Sequence, residues 1–310
     1  MLQSISHESE HKTRGADPAF KARLRRRSAF EYAAWIACLL LGVGVLFSVS
    51  TNPNFQWSVV ATYFTDQSIL NGLMLTIFLT VATMLLGTLL GLLLAIMRSS
   101  KVKPVALMAG VYLTLFRGTP VLVQLIFWFN VAALYPNLRI GIPFTDIGVP
   151  LDVNAVMSPI TAALVGLTLN EAAYMAEIIR GGFATVGTGQ IEAADSLGMS
   201  TWTKLRKVII PQAMPSIIPA TGNQLIGMFK ESSLVSVLGV AELLQSAQLI
   251  YARTYETIPL LIVASLWYLL MTLVLSYPQS LLEKKYSRST SRLPRKARNV
   301  VLTDPEGIAR

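Results

Sequence analysis

The chain has 310 residues, 53% hydrophobic and only 14% charged, with a mean hydropathy of +0.54, whereas about a quarter of the residues of a soluble domain are charged. Composition therefore excludes an ordinary soluble domain and leaves an integral membrane protein. The formal net charge of +9 raises nucleic acid as a partner, but the placement of the basic residues fits membrane topology instead, and no nucleic acid is expected.

Residues 1–32 are polar, with a basic burst over Lys21–Arg27, and contain nothing that would form a core. They read as a mostly disordered cytoplasmic basic tail. The run AAWIACLLLGVGVLFSV at 33–49 has the minimum length that spans a bilayer, where about 17–25 residues are needed. Its rival reading is a cleaved secretory signal, since small residues, Ser48-Val49-Ser50, close it. The polar lead is long for a signal, which favours an uncleaved N-terminal transmembrane anchor. Cys38, the single cysteine, lies inside this run and permits no intrachain disulfide or cysteine metal cluster.

Further apolar segments follow at 69–97, 105–135, 156–180 and 257–282, with one at 216–239 that polar residues interrupt. Helices are expected because hydrocarbon cannot satisfy open backbone groups, and the segments lack the alternation of barrel strands. The fold class expected is thus all-α, a polytopic membrane protein of six transmembrane helices. Gly87-x-x-x-Gly91 would let another helix approach closely, although glycine is common in membrane helices without any such contact.

Orientation follows from Lys and Arg. If the N-terminus is cytoplasmic, 22 of the 26 basic residues fall on that side, in the two tails, the 98–104 loop and residues 180–215. The opposite loops hold Arg139 and Arg253, while Arg117 and Lys230 fall inside apolar segments. This asymmetry predicts a multi-pass inner-membrane protein with both termini cytoplasmic.

Residues 190–210 form the largest cytoplasmic loop between spans, and their pattern is helical. Ile191, Ala194 and Leu197 recur at helical spacing and Gly198 can stop that turn with a left-handed backbone. Ser200 or Thr201 can cap a second short helix, with Trp202, Leu205 and Ile209 on one side and Lys204, Arg206 and Lys207 on the other. Pro211 is expected to end it. Two short helices at an angle would make a knob for another protein's groove; an amphipathic helix lying on acidic lipid fits the same residues.

Here the sequence resembles the membrane-spanning permease subunits of bacterial ATP-driven (ABC) importers, in the polar amino acid uptake branch. Their cytoplasmic signature is Glu-Ala-Ala, three residues, Gly, nine residues, then Ile-x-Leu-Pro. This chain has Glu192-Ala193-Ala194, Gly198, then Val208-Ile209-Ile210-Pro211, and its two departures keep the apolar character. YLTLFRGTPVLVQL (112–125), AAYMAEIIRGG (172–182), PQAMPSIIPATGNQ (211–224) and KESSLVSVLGVAEL (230–243) are similar to segments of the same family. The resemblance covers residues 68–285 and implies a five-helix type I permease core. The anchor at 33–49 would be an extra span, and a second basic tail follows at 286–310.

The resemblance further implies that residues 190–211 form coupling helices seated in a cleft of an ATP-hydrolysing subunit. Glu192 would be the polar anchor, Gly198 the hinge and Pro211 the rigid exit. The chain has no Gly-x-x-x-x-Gly-Lys-Ser/Thr phosphate loop, so no cofactor is expected in it, and ATP with Mg²⁺ would be bound by the separate ATPase. The other partners implied are a second permease chain (identical or related), an extracytoplasmic solute-binding protein, an amino acid substrate and the lipid bilayer.

Ionisable groups inside a membrane are functional candidates because burial there is costly. Glu171 and Tyr174 share one helical face, with Asn170, Tyr174 and Glu177 on an adjacent stripe. A carboxylate, amide and phenol together can hold the ammonium or guanidinium of an amino acid, so these four are the candidate substrate contacts; the plainer reading is a helix-to-helix pair of Glu171 or Glu231 with Lys230 or Arg117. Lys230-Glu231-Ser232-Ser233-Leu234 stands where the family usually has Lys-Asp-Thr-Ser-Leu, which implies a buried ion pair at the gate or dimer contact. Arg117-Gly118-Thr119-Pro120 breaks an apolar run, as a gate element or as a helix restart with Arg117 snorkelling to the interface. The competing function is an ATP-independent secondary transporter or channel using Glu171 and Glu177 as a proton relay, for which no inverted repeat is evident. A membrane hydrolase would need a Ser-His, Cys-His or paired-carboxylate constellation, and the two His, His7 and His11, both lie in the tail.

Overall fold

The computed structural model describes residues 18–141 and 148–290, in two units divided after Trp57. Residues 1–17 and 291–310, most of both expected tails, lie outside the described residues. In the first unit a single helix, α1 (Pro18–Thr51), includes the expected anchor. It also takes in residues 18–32, which were expected to be disordered. Ala, Lys, Arg and Leu are strong helix formers, Pro18 suits a helix start, and neither Gly nor Pro interrupts the chain until Gly42. Within α1, Phe30–Thr51 is long and apolar enough to cross a membrane. Asn52 then caps a short turn at Pro53–Phe55, and Trp57 Nε1 donates to the Val49 carbonyl at 3.0 Å.

The second unit opens with α2 (Trp57–Phe64) and α3 (Gln67–Arg98), the latter capped by Asp66, whose Oδ1 accepts from Ser68 N at 2.8 Å. Next come α4 (Lys103–Gly118), α5 (Val121–Phe129) and the single turn α6 (Val131–Leu134). Strands β1 (Asn137–Gly141) and β2 (Gly148–Asp152) form an antiparallel hairpin that pairs Asn137 with Asp152 and Gly141 with Gly148. After the turn α7 (Val153–Val156) come α8 (Pro159–Ala184), α9 (Thr188–Ser196), α10 (Thr201–Lys204), α11 (Ile210–Glu231), α12 (Leu243–Thr254) and α13 (Thr257–Thr290).

Among the described residues, four helices are long and apolar enough to cross a membrane alone, at Phe30–Thr51, Gln67–Arg98, Pro159–Ala184 and Thr257–Tyr286. The 105–135 segment is not one continuous helix. It bends by 104° between α4 and α5, because Pro120 has no N–H to continue the ladder and holds Thr119 extended, at φ −118° and ψ 146°. The 216–239 segment is also redrawn: α11 begins at Ile210, ends at Glu231, and gives way to a 3₁₀ turn over Ser232–Leu238 that Gly239 stops at φ +76°. That stretch and α12 form a second bent pair, at 45°, so the described residues hold four candidate spans by length and composition, or six if each bent pair is one span. The hairpin corrects the all-α expectation. It lies between spans, where Leu138 and then Val149 and Leu151 alternate with other residues in the strand period of two.

Lipid supplies no hydrophobic drive between helices, so close contact must hold them together. Gly87 and Gly91 of α3 supply it against α8: a β-carbon on Gly91 would stand 2.7 Å from Met175 Cβ and 2.9 Å from the Ala172 carbonyl. The expected close approach is therefore present. Leu79, Leu125, Leu167 and Val235 are fully buried in one apolar cluster, and Ile69, Leu243, Leu260 and Val263 in another.

Candidate functional site

The segment carrying the Glu-Ala-Ala signature folds as two short helices meeting at Gly198. Gly198 adopts φ +67°, where only glycine is free of a side-chain penalty. Its N–H reaches the Asp195 carbonyl at 2.9 Å, and the Met199 N–H reaches the Ala194 carbonyl at 3.1 Å. These two bonds make the paired C-terminal cap that satisfies the last carbonyls of α9. Ser200 Oγ then caps α10 by accepting from Thr203 N at 3.3 Å. Lys204 Nζ, 2.5 Å from Asp195 Oδ1, ties the two helices together.

Pro211 does not end the second helix, as the sequence reading expected. The chain passes from α10 through one π turn, Leu205–Ile209, into α11. Ile210 N donates to the Leu205 carbonyl, and Pro211 occupies the first turn of the new helix, where a missing N–H costs nothing. Glu192 and Ala193 are exposed while Ala194 is buried. Leu197 and Trp202, which the helical spacing assigns to apolar faces, are 75% and 67% exposed.

The four residues read as substrate contacts separate into two groups. Glu171 is fully buried; Gln224 Nε2 of α11 donates to its Oε2 at 2.9 Å, while its Oε1 has no partner among the described residues. Asn170 is buried and committed to protein. Its Nδ2 donates to the Phe116 carbonyl and to Gln124 Oε1, each at 3.0 Å. Gln124 Nε2 in turn donates to Phe116 O at 2.9 Å and to Thr119 Oγ1 at 2.7 Å. The pair thus caps the open end of α4 at the helix break.

Tyr174 and Glu177 belong instead with Arg117, which lies 5.6 Å over the Tyr174 ring and 3.8 Å from Glu177 Oε2. Arg180 grips both Glu177 oxygens, at 3.1 and 2.8 Å. Glu171 and Glu177 sit six residues apart, on different faces of α8, and among the described residues no hydrogen bond joins them in a relay. Pro120 is the N-cap of α5, the restart arrangement.

Lys230 and Glu231 are both exposed and do not pair with each other among the described residues, since adjacent residues on a helix point about 100° apart and cannot face each other. They leave two charges at the end of α11, beside the fully buried Ser232.

Sequence reasoning missed Glu242. It is fully buried, its Oε1 caps α12 by accepting from Gln245 N at 2.8 Å, and its Oε2 accepts from Tyr268 OH at 2.8 Å and Thr76 Oγ1 at 3.3 Å. The available signal was an acidic residue just after the Gly239 stop and just before an apolar helix. An apolar cavity of about 620 Å³ lies among Met84, Leu92, Met175, Phe183, Ile217 and Leu282; Glu171 is not on its wall.

Residues 87–288 match the family described as Binding-protein-dependent transport system inner membrane component. The chain is 39% identical, over 286 residues, to the arginine transport system permease protein ArgU of Corynebacterium glutamicum, covering 92% of this chain and 88% of that one. That match is longer than the 68–285 stretch, so the likeness continues into the flanking sequence. The arginine transport system permease protein ArtQ of Bacillus subtilis is 33% identical over 70% of this chain and 91% of its own. Among solved structures, that of an amino acid ABC transporter with histidines is 40% identical and covers 70% of this chain and 94% of its own, with a TM-score of 0.60.

Proposed function

The chain belongs to the family of binding-protein-dependent transport system inner membrane components, and from that membership we propose how its residues divide the work of an ATP-driven amino acid importer. It is the membrane-spanning permease subunit, and hydrolysis resides in a separate ATPase that binds ATP and Mg²⁺. The α9–α10 knob docks on that ATPase, with Glu192 as polar anchor, Gly198 as the fixed corner and Pro211 as the rigid exit into α11. A second permease chain completes the pathway and faces the exposed Lys230 and Glu231. A solute-binding protein delivers substrate from the opposite face. Both termini lie on the ATPase side, as the distribution of Lys and Arg favours, and α1 is an additional anchor.

The observation that carries this reading is the exposure of Leu197 and Trp202, at 75% and 67%, on a knob whose own helices are tied by Asp195 and Lys204. Large apolar side chains held out from a rigid polar corner are what a partner's groove takes up. The proposed substrate is a cationic amino acid. The arginine names of two relatives and the unpartnered Oε1 of Glu171 both support it. Arg117 and the Pro120 break act as a gate beside Tyr174.

The test is reconstitution in nanodiscs with a co-expressed ATPase and binding protein, reading ATP hydrolysis as single amino acids are added. Hydrolysis should rise with a cationic amino acid and fail to rise in Glu192→Lys. Uptake down a proton gradient by the chain alone, with no ATPase present, would replace this reading with a secondary transporter.

A further inference from the structure

Arg98 ends α3, next to the basic loop that holds Lys101 and Lys103. Its guanidinium lies across Gly110 of α4, with Cζ and Nε 3.5 Å from where a β-carbon on that residue would stand. A polar cavity of about 360 Å³ opens there, walled by Arg98, Thr114, Arg117 and Glu177 among others. Glu177 is the carboxylate on that wall, and both its oxygens are already taken by Arg180. Arg117 reaches it at 3.8 Å, and Arg98 forms no ion pair among the described residues. Three guanidinium groups thus face one carboxylate.

The same Arg98 heads an apolar furrow on the outer face of α4. A neighbouring cavity of about 530 Å³ is lined by Arg98, Leu107, Gly110, Val111, Thr114 and Leu115. Leu107, Val111 and Leu115 recur every four residues and so form one stripe, and they are 68%, 58% and 52% exposed. Gly110 keeps the furrow open where it joins the cationic cavity.

An anion pocket continuous with a long apolar furrow fits an amphiphile with a negative head and an acyl tail. We propose that Arg98 and Arg117 hold the phosphate of an anionic phospholipid whose acyl chain lies along Leu107, Val111 and Leu115. Free phosphate or an amino acid carboxylate would use the pocket and leave the furrow empty. Basic pockets between membrane helices are suited to such headgroups, where each cation strengthens binding by about fivefold. The bound lipid would brace α4 against α3 and α8, beside the break at Gly118–Pro120.

The full chain, purified in detergent, is given equal amounts of phosphatidylglycerol and phosphatidylcholine, and the lipid retained is counted by native mass spectrometry. With two such cations, phosphatidylglycerol is expected to be retained about 25-fold more than phosphatidylcholine. That preference should fall about fivefold in Arg98→Gln, survive in Arg98→Lys, and resist added inorganic phosphate. Equal retention of the two lipids by the unaltered chain overturns the proposal, and this arm needs no variant to fold. A preference that is unchanged in Arg98→Gln overturns it too, and displacement by inorganic phosphate would make the ligand a free anion.

Discussion

Gly87 of α3 and Glu171 of α8 occupy one gap: a β-carbon on Gly87 would lie 2.7 Å from Glu171 Cγ and 2.9 Å from its Cβ. The missing side chain on one helix is the room for a buried carboxylate on the other. Gly87→Ala should therefore destabilise the chain by about 1–3 kcal/mol, the usual cost of overpacking. Gly91→Ala should cost more, because the atoms in its way include the Ala172 carbonyl at 2.9 Å and the Ala176 nitrogen at 3.0 Å, and backbone cannot swing aside. Gly181 has open space, so Gly181→Ala should be neutral or stabilise by up to about 1 kcal/mol. Unfolding of the full chain in mixed micelles with rising SDS measures the order.

Gly198 turns the corner of the α9–α10 knob at φ +67°. Gly198→Ala should cost about 1 kcal/mol, because an L side chain resists that conformation, and should weaken substrate-stimulated ATP hydrolysis only in part. Gly198→Pro should abolish that stimulation. Proline fixes φ near −65° and removes the N–H that reaches Asp195 O. Membrane insertion, followed by fractionation, should be unchanged in both variants.

The corner was legible from sequence because its signals are local: a glycine where the backbone turns left-handed, a serine ahead of a helix, and apolar spacing. The four long apolar helices were legible for the same reason. What the sequence hid depends on partners far along the chain. Asn170 looked like a pathway amide until its neighbours proved to be Phe116 and Gln124, more than forty positions away. Glu242 draws its meaning from Thr76 and Tyr268. Pro211 misled because proline stops a helix interior but suits a first turn, and only the preceding π turn decides between them.

Asn170 and Gln124 together close the open end of α4, so Asn170→Leu should leave the buried Gln124 Oε1 without its donor and the Phe116 carbonyl with Gln124 alone, at a cost of about 1–3 kcal/mol. Tyr174→Phe removes a hydroxyl that makes no hydrogen bond among the described residues and should cost far less. Resistance to SDS unfolding separates the two. If Asn170 is structural in this way, the substrate concentration that half-stimulates hydrolysis should stay the same in any Asn170 variant that still assembles.

Asp195 and Lys204 join α9 and α10, but the Asp195 side chain is 55% exposed. Screening and side-chain entropy hold such a pair to about 0.2–1 kcal/mol. A double-mutant cycle with Asp195→Asn and Lys204→Gln should return a coupling energy in that range. The same variants should lower stimulated hydrolysis more than stability, because the pair sets the angle between α9 and α10. A pair that is inert in both measurements would leave the corner to Gly198 alone.

Glu171 is the buried carboxylate whose second oxygen has no donor, on the helix face that also meets Gln224 of α11. A cationic group arriving between α8 and α11 would find one acceptor free and one held. Glu171→Gln preserves size and can keep a hydrogen bond to Gln224, so stability should change by less than about 1 kcal/mol. The charge-assisted bond to an ammonium or guanidinium would be lost, a change of about 1.5–3 kcal/mol. Half-stimulation of hydrolysis by a cationic amino acid should then need more than about tenfold higher substrate, with less effect on a neutral one. An unchanged response to both would make Glu171 a packing and cross-helix residue, and would move substrate recognition to the Arg117, Tyr174 and Glu177 cluster.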